Sequence, residues 1–168
     1  RWSAQLGETA TIEEISEHFQ QYDISQLEGV SNTIKGKMFE ILVTDQENTD
    51  SDNWTAKMHE DESFPGSDII FYNSETNETL EVSLKAVSAD NSFIIENALV
   101  KYPDLPIMST DEVADLCADN PNVFGSGFTN KDLDEITDEK LQILISQMEP
   151  INAKEVVVGG ITMSTFAA

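Results

Sequence analysis

The apolar positions along this chain change period several times, and each change marks an element. Ile12, Ile15, Phe19 and Tyr22 recur at helical intervals behind Thr11-Ile12-Glu13-Glu14, which has the spacing of a capping box, so a short amphipathic helix is expected there. Ser25 with Glu28 offers a second capping box, and Leu27, Val30, Ile34, Met38, Ile41 and Leu42 continue as one apolar face to about Val43. Gly36 and Glu40 lie one turn apart on this longer helix, hence on the same side. Residues 45–52 are polar and read as a loop, and residues 54–59 alternate like a strand before Pro65-Gly66 forces a turn.

Residues 68–72 and 79–86 are the clearest strands, joined through Asn73-Ser74-Glu75-Thr76-Asn77 as a hairpin. A helix is expected over 92–101, closed by Pro103, followed by a short buried strand over 105–108. Ser109 or Thr110 then caps a helix from 111 to about 118. Residues 119–131 are rich in Asn, Gly and Pro and read as a loop; Gly125-Ser126-Gly127 alone does not define a phosphate loop. Thr137-Asp138-Glu139-Lys140 starts a last helix through Gln147. This order predicts an α/β fold, a small mixed β-sheet flanked by helices. The expected organisation is an N-terminal helical segment over 1–33, an α/β domain over 34–150 and an apolar segment over 151–168.

A chain of 168 residues is long enough to bury a core without disulfides or structural metals. Its lone cysteine, Cys117, sits in an apolar-periodic segment and reads as a small core residue. Only His18 and His59 are available as a base for it, and neither is placed by the sequence.

Nine Lys plus Arg against 32 Asp plus Glu give a net charge of −23. That charge repels polyanions and opposes nonspecific nucleic-acid binding, which depends on neutralising phosphates with basic side chains. A metal-bridged site is compatible with it, because a bound cation reverses the local sign.

The chain begins at Arg1 without a signal-peptide pattern, so a fragment of a longer protein is expected, with a cytoplasmic location favoured. From Val156 onward no charged residue occurs. Shorter than the roughly 20 apolar residues that span a bilayer, this run has two readings: the first half of a membrane helix, giving membrane attachment, or a terminal strand or helix that packs on the core.

Alternation over residues 80–85 puts Leu80, Val82 and Leu84 on one face and Glu81, Ser83 and Lys85 on the other. With Asp68 on a neighbouring antiparallel strand, the second face collects carboxylates and an ammonium. Mg²⁺ is typically held by one or two carboxylates together with phosphate oxygens and water. A lysine beside it can orient or deprotonate a water, or stabilise charge on the phosphate.

From Ile34 to Thr110 the chain resembles the PD-(D/E)XK nuclease superfamily, whose core is a mixed sheet flanked by helices. The family's Gly-x-x-x-Glu element corresponds to Gly36 and Glu40, its aspartate to Asp68 and its Glu-x-Lys glutamate to Glu81, thirteen positions on. Its lysine position falls on Ser83, and the lysine occurs two residues later as Lys85, roughly 6.5–7 Å further along the same face.

The resemblance implies a restriction-endonuclease-like core and a Mg²⁺-dependent nuclease acting on nucleic acid. Asp68 and Glu81 would be metal ligands, Glu40 a supporting ligand or orienting residue, and Lys85 the catalytic lysine. The alternative is a non-catalytic interaction or scaffolding domain on a degenerate nuclease-like fold, engaging a basic protein partner next to a membrane segment. His59-Glu60-Asp61-Glu62 forms a further acidic cluster, read chiefly as a charged loop.

Overall fold

The computed structural model describes residues 24–59 and 66–147, together with short strands at 156–158 and 161–163. The expected helix over 11–22 lies outside the described residues. Compactness divides the chain into Lys35–Leu133 and a second unit formed by the residues before and after it.

A helix, α1 (Ile24–Glu47), leads into three strands, β1 (Trp54–Met58), β2 (Ile69–Asn73) and β3 (Thr79–Lys85). Then follow α2 (Phe93–Lys101), β4 (Ile107–Ser109), α3 (Asp111–Leu116), β5 (Val123–Gly125) and α4 (Asn130–Gln147). The five strands form one mixed sheet in sequence order: β1, β2 and β3 are antiparallel neighbours, while β3, β4 and β5 run parallel. An α/β fold with a mixed sheet and flanking helices is therefore what the sequence builds.

Each face of the sheet has its own apolar cluster. Phe39 and Val43 of α1 pack with Ala56, Ile69, Phe71, Val82, Leu84 and Leu133, and Met108 and Phe124 lie against them. Phe39 and Phe128 meet edge to face, with ring centroids 6.5 Å apart, a favourable aromatic geometry. On the opposite face Ile107 and Val123 pack with Ile95 of α2 and Val113 of α3. Ser83 aligns with Ile107, and Ile107 with Val123, so Ser83 belongs to this second face.

The β2–β3 hairpin is shaped by Asn73, whose side-chain oxygen accepts the backbone N–H groups of Glu75 and Thr76. Asn77 takes a left-handed conformation (φ 59°), which asparagine tolerates better than most residues. At the outer edge of β1, the Asn48 amide donates to the Ala56 carbonyl at 3.0 Å and accepts its N–H at 2.9 Å. One side chain thereby stands in for a neighbouring strand at that residue.

Several boundaries differ from those read in the sequence. Helix α1 runs to Glu47 rather than stopping near Val43. The segment read as loop over 119–131 contains β5, a three-residue strand held by parallel pairing to β4. Helix α4 begins at Asn130, seven residues before the expected start at Thr137.

Thr129 explains that earlier start. Its N–H and hydroxyl both donate to the Asp132 carboxylate, and the Asp132 N–H donates back to the hydroxyl, a capping box three residues wide.

Alternation in β3 also fails as a burial rule. Leu80 is 40% exposed, whereas Val82, Ser83 and Leu84 are all buried, because helices cover both faces where β3 meets β4. Within the apolar run that starts at Val156, β6 (Val156–Val158) and β7 (Ile161–Met163) pair antiparallel. Among the described residues no helix is long and apolar enough to cross a membrane.

Candidate functional site

Asp68 stands immediately before β2, delivered by the turn at Gly66. That glycine has φ +98°, and a Cβ on it would meet the Tyr102 ring at 3.3 Å, so both conformation and space favour glycine. The Asp68 N–H donates at 2.9 Å to the carbonyl of Val82, the residue paired with Ile69. The paired register ends at Ile69 with Val82, and Asp68 meets Ser83 through its side chain.

Three donors converge on one oxygen of Asp68. The Leu84 N–H reaches Oδ2 at 2.6 Å, the Ser83 hydroxyl at 3.1 Å and the Lys85 ammonium at 3.3 Å. Lys85 Nζ also donates to Ser83 Oγ at 2.6 Å and to the Leu84 carbonyl at 2.9 Å. An ammonium has three donors, and these contacts use all of them. The ion pair is partly shielded: the Lys85 and Asp68 side chains keep 27% and 31% of their accessible surface.

The backbone beyond Lys85 is fixed by two fully buried hydroxyls. Ser109 Oγ donates to the Lys85 carbonyl at 2.8 Å, and Thr110 Oγ1 to the Val87 carbonyl at 2.7 Å. Lys85 thus springs from a rigid strand end.

The other expected site residues lie elsewhere. Glu81 is exposed on β3 and pairs with Ile70, two residues from Ser83 and roughly 6.5–7 Å along the strand. Glu40 lies on α1, where its carboxylate accepts from Lys37 Nζ at 2.9 Å. Gly36, one turn before it, has nothing within 4 Å of where a Cβ would stand, so close packing does not require a glycine there. Among the described residues, no group of three or more His, Cys, Asp or Glu is placed to hold a metal ion.

His59 adjoins Asp68 through the backbone, its N–H donating to the Asp68 carbonyl at 3.4 Å. Its ring Nε2 is 2.7 Å from the buried Ser67 hydroxyl. The rest of the His59–Glu62 acidic cluster lies outside the described residues.

Cys117 lines an open groove of about 540 Å³ with Glu96, Leu99 and Asn120. Burial, and then the Glu96 carboxylate, push its thiol above the ordinary range, which disfavours the nucleophilic thiolate.

Ser83 is the site residue that sequence reasoning assigned no role. Comparison with protein-family models, curated proteins and solved structures finds no match for this chain.

Proposed function

We propose that this chain carries a non-catalytic interaction domain on a nuclease-like α/β core, and that its partner is a basic protein. The observation that carries this reading is the state of Asp68. Its Oδ2 is occupied by Leu84, Ser83 and Lys85, and the side chain that meets it from β3 is a serine hydroxyl rather than a second carboxylate. Mg²⁺ needs oxygen ligands free to enter its coordination shell. The donors gathered at Asp68 occupy Oδ2 and pair the carboxylate with an ammonium, which supports a site that works without Mg²⁺.

The nuclease-like core is supported by the mixed sheet, by Asp68 at the start of β2 and by Lys85 at the end of the adjoining β3. The basic partner is supported by the net charge of −23, which attracts polycations and repels nucleic acid. Binding of such a partner weakens steeply with salt.

A second reading, metal-dependent hydrolysis of phosphodiester bonds, is favoured by one contact: the Lys85 ammonium does reach Asp68. In that reading Asp68 and Glu81 hold the metal, Glu40 supports them and Lys85 is catalytic. The two readings separate in one assay, cleavage of DNA and RNA with Mg²⁺ or Mn²⁺ by the domain, Asp68→Ala and Lys85→Ala. Equal background in all three supports the interaction domain. Metal-dependent cleavage lost in both variants establishes the nuclease.

A further inference from the structure

We infer that Ser83, not Glu81, occupies the position of the second carboxylate, and that Lys85 serves Asp68 as the resident cation where a metal would otherwise be needed. The inference rests on the nuclease-like reading of the core for what the position once held, and on geometry for the rest. The Ser83 hydroxyl, on the strand beside Asp68, donates to Asp68 Oδ2 at 3.1 Å. Glu81 stands two residues earlier on β3, opposite Ile70.

The register also revises the place of the lysine. Ser83-Leu84-Lys85 has the spacing of Glu-x-Lys with serine in the acidic position, so the lysine stands at its expected distance from the residue that faces Asp68. Substitution of the acid, rather than migration of the lysine, is what sets this site apart.

Charge balance then follows from the residue types. One ammonium beside one carboxylate leaves the cluster formally neutral, with no electrostatic demand for a divalent ion. Two carboxylates beside one ammonium carry a net negative charge, and mutual repulsion between them is relieved by a bound cation. Ser83→Glu supplies that missing charge beside Asp68.

The test is Mn²⁺ titration, followed by calorimetry, of the chain as it stands and of the Ser83→Glu, Ser83→Asp, Ser83→Glu/Asp68→Ala and Glu81→Ala variants, with folding checked by circular dichroism. The expected result is a single site in Ser83→Glu at least about tenfold tighter than any site in the parent, lost when Asp68→Ala is added. Ser83→Asp, the shorter replacement, reports the same gain if glutamate cannot be accommodated at this buried position.

Two results overturn the inference. One is a folded Ser83→Glu or Ser83→Asp protein with no gain over the parent. The other is a parent chain that binds one Mn²⁺ and loses it in Glu81→Ala, which returns Glu81 to the ligand set; this arm decides even if neither Ser83 variant folds. Partner binding is a separate readout, so failure to find a basic partner leaves this result intact, whereas metal-dependent cleavage lost in Asp68→Ala overturns both readings.

Discussion

The hydroxyl of Ser83 bridges Asp68 and Lys85, accepting from the ammonium at 2.6 Å and donating to the carboxylate at 3.1 Å. The bridge makes Asp68 a structural acceptor for the β3 backbone as well as a charge partner. Asp68→Ala leaves the Leu84 N–H without its 2.6 Å acceptor and Lys85 without its carboxylate. A loss of about 1–3 kcal/mol is expected from an unpaired, partly buried donor, read as a lower denaturation midpoint at unchanged slope.

Asn48 meets both backbone groups of Ala56 at the free edge of the sheet. Asn48→Ala removes two hydrogen bonds and opens an edge of the kind that pairs with other chains. About 1–3 kcal/mol of stability should be lost, with increased self-association by light scattering.

Glu47 ends α1, and burial, then Asp50, then Asp52 raise its carboxyl above the ordinary range. A raised acid contributes stability that is full below its unfolded-state value and is lost as pH rises through the folded-state value. Ionised Glu47 is therefore a burden at neutral pH. Glu47→Gln should raise the melting temperature at pH 7, by less than about 1 kcal/mol in free energy because neighbouring surface charges are screened. The difference should vanish in acid.

Two glycines respond oppositely to a methyl group. A Cβ on Gly125 would stand 2.7 Å from Asp111 Oδ1, the oxygen that accepts the Gly127 N–H at 2.8 Å. Gly125→Ala must displace that carboxylate, and a loss of about 1–3 kcal/mol is expected by thermal denaturation. Gly36 lies within α1 with open space around it, and Gly36→Ala should stabilise by about 0.5–1 kcal/mol through helix propensity.

What was legible in the sequence was whatever local pattern decides. The β2–β3 hairpin, α2 and α3 follow from alternation, apolar periodicity and turn residues and occur close to where those signals lie, although the hydroxyls of Ser109 and Thr110, expected to cap α3, donate to the Lys85 and Val87 carbonyls instead. β5 was hidden because three residues between Asn, Pro and Gly carry no pattern; parallel pairing to β4 makes them a strand. The start of α4 was readable in Thr129 and Asp132 but was masked by a similar signal at Thr137. At the site, face alternation correctly put Glu81, Ser83 and Lys85 together. It could not say which of them faces Asp68, a matter of register across the hairpin, nor that helices would bury Ser83.

The account turns on Lys85 being the cation that Asp68 keeps. The most direct measurement is the ¹⁵N-detected ammonium signal of Lys85, assigned with Lys85→Arg and followed through a Mg²⁺ titration. An ammonium held by Asp68, Ser83 and the Leu84 carbonyl should give a slowly exchanging signal that is weakened in Asp68→Ala and unchanged by millimolar Mg²⁺. A saturable loss or shift of that signal on adding Mg²⁺ would show the metal displacing Lys85 from Asp68, and would contradict the account.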